Sequence, residues 1–305
     1  MKIVVYGTGG VGGYFGGRIA RAGYDVNFIA RGEHLKVIQK NGLQVKSIDG
    51  NFHIYPKATD DINKVKDIDL VLIAVKTWQV SEVAQKLKAV IGKETMVIPL
   101  QNGANNIEKL LKVLPRHNVL GGLCRIVSKV EAPGIIDHFD FEPSIFFGEI
   151  DNTSTKRLNN IKVIFDKAGF KNFISNNIQL EIWRKFTFIT TVSGIGALTR
   201  TVFGELRNYK GVLEMMQEVG HEITLIANAK KIAITQQDVA KALEWVQNCE
   251  YNTTASMQRD VMGGRPSELE DFNGYIVKEG LRLGIETSVN KFVYDCLLPQ
   301  EMKAR

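Results

Sequence analysis

Residues 2 to 6, Lys-Ile-Val-Val-Tyr, form an almost unbroken apolar run. A run so short and so rich in β-branched residues predicts a strand buried on both faces. Gly7 ends it. The segment Gly13 to Ala22 then carries helical spacing and stops at Gly23, and Asp25 to Ile29 is apolar again. The three segments predict a strand–helix–strand unit of about 30 residues. Further strands are predicted at Asp69–Val75 and Thr95–Ile98. Between 119 and 148 the chain is dense in β-formers, glycine and aromatics, as in "GIIDHFDFEPSIFFGE". That density predicts antiparallel strands added to the parallel sheet. A helix near 153–168 and a strand near 170–174 complete this half. The pattern changes after the polar junction Ser175-Asn176-Asn177: helical spacing covers about 177–193, 211–230, 235–248 and 268–283, and strand signals fade.

Gly7, Gly9 and Gly12 stand in the spacing G-x-G-x-x-G between the first strand and the first helix. In that context the pattern marks a dinucleotide site of the Rossmann type. The first glycine permits a tight turn, the second lets a pyrophosphate approach the backbone, and the third lets the helix pack on the sheet. The expected cofactor-binding residues are therefore Gly7, Thr8, Gly9, Gly10, Val11 and Gly12, with the pyrophosphate on the helix N-terminus. The predicted fold is an α/β Rossmann domain over 1–175, with a doubly wound, mostly parallel sheet and added antiparallel strands. An all-α domain follows over 176–305.

The end of the second strand selects the cofactor. A carboxylate there would hold the ribose hydroxyls of NAD. This chain has Arg31 instead, followed by Gly32 and Glu33. A guanidinium pairs bidentately with a 2′-phosphate, which argues for NADP(H) over NAD(H). The other reading of Arg31 is a solvated loop charge. Lys76 and Asn102 follow the two later strands and are expected at the carboxyl edge of the sheet, where such folds bind ligands. Each suits a cofactor or substrate contact, although an Asn before a Gly also forms ordinary turns.

Charge and cysteine content narrow the classes. The net charge is +6, but the basic residues are scattered, without the stripe that nucleic-acid binding requires. A modest positive excess suits a phosphorylated cofactor or a carboxylate substrate. The three cysteines, Cys124, Cys249 and Cys296, are far apart and form no CxxC, which argues against structural zinc or any other metal site. No signal peptide opens the chain, and no apolar run reaches the roughly 20 residues of a membrane span. The expected location is the cytoplasm.

In the helical half, Lys185 sits in the apolar and aromatic stretch "EIWRKFTF". At 3.6 residues per turn Lys185, Ile189 and Ser193 fall near one face, and that face is expected to border the cleft between the two domains. A lysine there can protonate an oxygen that gains charge as hydride arrives. The plainer reading is a lysine with a buried stem and a wet tip. Ser256, Asp260 and Glu268 lie around a Gly-Gly-Arg-Pro turn; Ser256 suits a carboxylate and Glu268 suits orienting Lys185. The plainer reading there is two helices joined by a turn, with Ser267 capping the second.

Taken together, these segments resemble the ketopantoate reductases (2-dehydropantoate 2-reductases). The resemblance rests on "GTGGVGGYFGGRIARAG", "IAR" at 29–31, "DLVLIAVKTWQV" at 69–80, "LQNG" at 100–103, "EIWRKFTF" at 181–188, "TTASMQRDV" at 253–261 and "SELEDFNGYIVKEGLRLGIETSVN" at 267–290. It implies NADPH-dependent reduction of ketopantoate to pantoate on the way to pantothenate and coenzyme A. It implies Gly7, Gly9 and Gly12 at the pyrophosphate and Arg31 at the 2′-phosphate. Lys76 and Asn102 would lie near nicotinamide and substrate. Lys185 would be the general acid, Ser256 a substrate contact, and Glu268 a substrate contact that sets the lysine's geometry. The chain departs from the family pattern at Ile189 and Ser193, where asparagines are usual. Ile189 has no hydrogen-bonding group, and Ser193 is a shortened substrate contact. Another branched 2-oxo acid therefore remains open as substrate, as does a non-catalytic NADP(H)-sensing module. Apolar helix faces are of a kind that supports a homodimer.

Overall fold

The computed structural model describes residues 1–305. The chain divides into two compact units: residues 1–101 with 106–181, and residues 102–105 with 182–305.

The first unit runs β1 (Lys2–Tyr6), α1 (Gly10–Arg21), β2 (Asp25–Ile29), α2 (Gly32–Asn41), β3 (Leu43–Ser47), β4 (Phe52–Ile54), β5 (Lys57–Thr59), β6 (Leu70–Ile73), α3 (Val80–Lys88), β7 (Met96–Pro99), α4 (Asn106–Leu111), β8 (Gly121–Ala132), β9 (Ile135–Gly148), α5 (Lys156–Ala168) and β10 (Lys171–Ile174). Five strands form a parallel sheet in the order β5-β2-β1-β6-β7. The chain builds outward from β1 on one side and then crosses to β6 on the other. That reversal is the topological switch point at which doubly wound sheets bind ligands. Residues 3–6 of β1 and all of β6 and β7 are buried, as a sheet covered on both faces requires.

The β8–β9 pair is antiparallel as expected, but it does not extend the parallel sheet. It belongs to a second five-stranded sheet in which β9 also pairs with β10 and β3, both parallel, and β3 pairs with β4. The correction has a physical cause. β3 meets β9 across about ninety residues of sequence, Val45 opposite Ile136, so no local pattern announces the pairing.

Helix α1 lies between the two sheets, and its glycines make that possible. A Cβ on Gly16 would lie 2.7 Å from Phe28 and Val5 of the parallel sheet. A Cβ on Gly13 would lie 2.6 Å from Ile136 of the other sheet. Each glycine in a helix costs roughly 1 kcal/mol against alanine, and the close packing on both faces offsets it. Val5, Phe28, Val45, Phe52 and Ile136 join one core around this helix.

The second unit is helical: α6 (Ile178–Thr199, most of its length), α7 (Phe203–Leu206), α8 (Lys210–Ala229), α9 (Gln236–Asn248), α10 (Ser256–Met262), α11 (Asn273–Leu283) and α12 (Ser288–Ala304). Helix α6 continues through Gly194 and Gly196 beyond the expected end at 193. Those glycines let neighbours come close: a Cβ at 194 would meet Asn273 Oδ1, and one at 196 would meet Gln258 Oε1, each at 2.7 Å. Helix α11 starts at Asn273, later than expected, because Leu269–Asp271 is a 3₁₀ turn. No helix is long and apolar enough to cross a membrane.

Candidate active site

The glycine turn is built as its spacing requires. Gly7 has φ +101°, and a Cβ there would lie 2.8 Å from Val75. A Cβ on Gly12 would lie 2.0 Å from the Gly7 carbonyl oxygen, so only glycine fits. Gly9 has nothing within 4 Å of its missing Cβ, which leaves the backbone open on the side a ligand would approach. Gly9 is also the N-cap of α1, with no side-chain cap and no acidic residue in the first turn. The first N–H groups of α1 therefore suit a pyrophosphate. Thr8 turns inward, its hydroxyl donating to the Ile29 carbonyl at 3.1 Å, while Val11 is half-buried. Gly10 abuts the β8 backbone, since a Cβ would lie 2.6 Å from the Ser128 carbonyl oxygen.

His34, on α2, ties this turn to the β8–β9 hairpin. The Gly134 N–H donates to Nδ1 at 3.0 Å, so the ring proton sits on Nε2, which donates to the Thr8 carbonyl at 2.8 Å. Burial lowers the His34 pKa below its ordinary 6.5, partly opposed by the Thr8 bond.

Arg31 caps α2 from an extended backbone and is exposed at the end of β2. The nearby Glu33 pairs with Lys36 at 3.4 Å, so its charge is already matched. Arg31 lies within electrostatic range of Tyr6 and of the Lys86–Glu82 pair, which is bonded at 2.6 Å on α3. The Tyr6 pKa is raised, chiefly by burial, and Arg31 and Lys86 oppose the rise. The β2 end of the sheet thus carries one exposed guanidinium, Arg31, of a kind suited to a phosphate.

Lys76 follows β6 and is exposed, with Nζ 5.8 Å from the Trp78 ring. Asn102 follows β7 in a loop whose Gly103 has φ +105°. Residues 102–105 group with the helical unit. Asn105 Nδ2 donates to Asp271 Oδ1 at 3.3 Å, and the Asp271 N–H donates to the Glu268 carbonyl at 3.1 Å. The structure thereby brings the Asn102 loop and the Glu268 turn into one unit.

On α6, Lys185 and Ile189 are half-buried, whereas Ser193 is sealed, its hydroxyl without a protein partner. Gly196 lies eleven residues, close to three turns, beyond Lys185 and so on its face. Gly196 is where Gln258 of α10 packs. Gln258 also holds α10 in place, accepting from Ala255 N at 3.1 Å and donating to the Thr201 carbonyl at 2.8 Å. Ser256 begins α10, and its hydroxyl oxygen is shielded and without a protein partner. Glu268 is buried at the start of the 3₁₀ turn. Ser267 before it is held by Glu301 of α12, which accepts from its N–H at 3.0 Å and its hydroxyl at 2.5 Å. Ser267 Oγ in turn accepts from the Leu269 N–H at 3.3 Å, but it does not cap the second helix as expected: Glu268 precedes the 3₁₀ turn and Phe272 precedes α11, neither with a side-chain cap.

Sequence reasoning missed His34, Asn105, Asp271 and Glu301. His34 had a local signal, its place three residues after Arg31 in the helix that leaves β2. The other three act across 34 or more residues and left none.

Two family models match the chain: "Ketopantoate reductase PanE/ApbA" over residues 3–152 and "Ketopantoate reductase PanE/ApbA C terminal" over 177–301. An uncharacterized oxidoreductase, YkpB, of Bacillus subtilis is 29% identical over 96% of this chain and 97% of its own length. A 2-dehydropantoate 2-reductase of Nostoc sp. is 29% identical over 98% of this chain and 93% of its own. Among solved structures, a PanE/ApbA family ketopantoate reductase from Ralstonia eutropha superposes with TM-score 0.92 at 28% identity, covering 100% of this chain and 99% of that one. A D-mandelate dehydrogenase with NADH and anilino(oxo)acetate shares the fold at TM-score 0.91 and 22% identity, with the same coverage.

Proposed function

The chain belongs to the ketopantoate reductase family, and from that premise we propose that it reduces ketopantoate to pantoate with NADPH, a cytoplasmic step toward pantothenate and coenzyme A. When bound, the reduced nicotinamide supplies the hydride that the carbonyl carbon accepts. The rest falls to the chain's own residues. Gly7, Thr8, Gly9, Gly10, Val11 and Gly12 hold the pyrophosphate, and Arg31 pairs with the 2′-phosphate. Lys76 and Asn102 contact the nicotinamide end and the substrate. Lys185 gives its proton to the substrate oxygen, a contribution of roughly 10²–10⁴-fold. Ser256 serves the substrate and Glu268 sets the lysine's geometry, while Ser193, sealed in the packing of α6, is left out of the contact. The observation that carries the reading is one helical unit in which Lys185 lies on the α6 face that receives α10, and in which Glu268 and the Asn102 loop are joined through Asp271.

Ile189 favours a second substrate within the same chemistry. It lies one turn from Lys185 and is half-buried, presenting hydrocarbon beside the proton donor. An apolar wall discriminates weakly between side chains, about 1–3 kcal/mol per methylene, whereas a lost polar partner removes selection for a hydroxyl. A 2-oxo acid with a larger apolar side chain fits that wall, and a D-mandelate dehydrogenase of this fold is bound to an oxo acid analogue.

The test is NADPH oxidation by the purified protein with ketopantoate, run beside NADH and a panel of branched and aromatic 2-oxo acids. Fast turnover confined to ketopantoate with NADPH supports the first reading. Preference for an apolar 2-oxo acid supports the second. Preference for NADH overturns the role given to Arg31.

A further inference from the structure

One guanidinium in the helical unit is held in place and left without an anion. Arg259, on α10, donates through Nη1 to the Thr254 carbonyl at 2.5 Å and the Thr254 hydroxyl at 3.1 Å. Its Nε and Nη2 meet no protein acceptor, and no carboxylate pairs with it. The neighbouring Asp260 is engaged by Arg265, at 3.1 Å from Nε and 3.0 Å from Nη2. Nε and Nη2 form the edge of a guanidinium that grips a carboxylate with two parallel bonds. Arg157 shows the same edge completed in this chain, with Nε on Glu149 Oε1 at 2.7 Å and Nη2 on Oε2 at 2.5 Å.

The support beneath Arg259 is rigid. The Thr253 carbonyl accepts from Phe203 N at 3.0 Å, and the Tyr251 carbonyl accepts from Gly204 N at 2.9 Å. The buried Gln258 fastens the next residues to the end of α6. Ser256 lies three residues before Arg259, on the same side of α10, and its hydroxyl also has no protein partner. Burial lowers the Arg259 pKa and the Arg265 charge adds to that, while Asp260 opposes it. Arg259 is nonetheless an exposed residue, so an oxyanion can reach it from solvent.

We propose that the Nε–Nη2 edge of Arg259 is the carboxylate-binding fork for the substrate, seated on α10 beside Ser256. This rests on the reading of the chain as a 2-oxo acid reductase and deepens it. The fork recognises the acid group common to all 2-oxo acids, so the asparagine replaced by Ile189 is not needed for that task. A cofactor phosphate offers similar oxygens, and the experiment separates the two sources.

Arg259→Gln and Arg259→Lys are compared with the unaltered protein. KM and kcat are measured for the preferred 2-oxo acid and for its uncharged methyl ester, and NADPH affinity is measured by fluorescence titration. Arg259→Gln is expected to raise KM for the acid roughly a hundredfold with a smaller change in kcat, as for truncating one partner of a charge pair. The ester and NADPH should bind as before, and Arg259→Lys should recover part of the loss. An unchanged KM, or equal losses for acid and ester, overturns the fork. Weakened NADPH with unchanged KM assigns the arginine to a cofactor phosphate and also overturns it. If the unaltered protein reduces no 2-oxo acid, the reductase reading fails by itself. Calorimetric titration of oxamate then decides the fork: binding lost in Arg259→Gln supports it, and equal or absent binding overturns it.

Discussion

Replacing His34 by alanine removes the link between the glycine turn and the β8–β9 hairpin. Two bonds go, Nε2–H to the Thr8 carbonyl at 2.8 Å and Gly134 N–H to Nδ1 at 3.0 Å. Thr8 and Gly134 are both buried, so each orphaned group costs about 1–3 kcal/mol. The ring itself is only half-buried, and water entering its place moderates the cost. The expected total is about 2–4 kcal/mol, which for a chain of this size lowers Tm by roughly 3–6 °C. The bonds also predict a pH dependence. Protonation would place a second N–H against the Gly134 N–H, and burial already holds the folded-state pKa below 6.5. The unfolded chain takes up its proton near 6.5 and the folded chain only at lower pH. Between those values the unfolded state binds more protons, so stability falls as pH falls through the window. Thermal melts from about pH 8 down to pH 5 check this, with NADPH titration alongside. Unaltered protein should lose Tm below about pH 6.5 more steeply than His34→Ala, and the variant should bind NADPH about tenfold more weakly because its turn is less ordered. Superimposable pH profiles and equal NADPH affinity would refute the reasoning.

Lys185→Ala should leave NADPH affinity unchanged and lower kcat by roughly 10²–10⁴-fold; unaltered turnover removes the lysine from the mechanism. Arg31→Ala should weaken NADPH far more than NADH in parallel titrations, and equal losses would show that no 2′-phosphate is held there. Gly12→Ala places a Cβ 2.0 Å from the Gly7 carbonyl oxygen. It should cost at least 1–3 kcal/mol, roughly the scale of overpacking, and abolish NADPH binding, as seen by melting and titration; full affinity would mean the turn yields without loss.

The strand–helix–strand unit was legible because its signals are consecutive: a buried apolar run, glycines at fixed offsets, and a second run within about 30 residues. The second sheet was not. β4 has only three residues and β3 five, so neither reads as a strand alone, and the three-residue β5 at the edge of the parallel sheet was illegible for the same reason. Helix α12 was hidden by Pro299, which sits inside it and reads locally as a break. At the site, Gly7 and Gly12 were legible because backbone geometry dictates residue type there, and Gly9 because its spacing completes the motif. The plainer reading of the Ser256–Glu268 stretch holds in part: two helices, α10 and α11, are joined by a turn, but Ser267 does not cap the second, which starts at Asn273 after Phe272. Arg259 was invisible as a feature, since an exposed arginine gains meaning only once its partners, and the edge without one, are in view.

Because α1 touches one sheet with Gly16 and the other with Gly13, it has no slack in either direction. Any change in the thickness of the second sheet, at Ile136 or Phe52, must move the helix whose first turn we propose as the pyrophosphate seat. A library selected for tighter or weaker cofactor binding should therefore return substitutions on β4 and β9. Tuning of the proposed site would then be spread through a layer packed behind it.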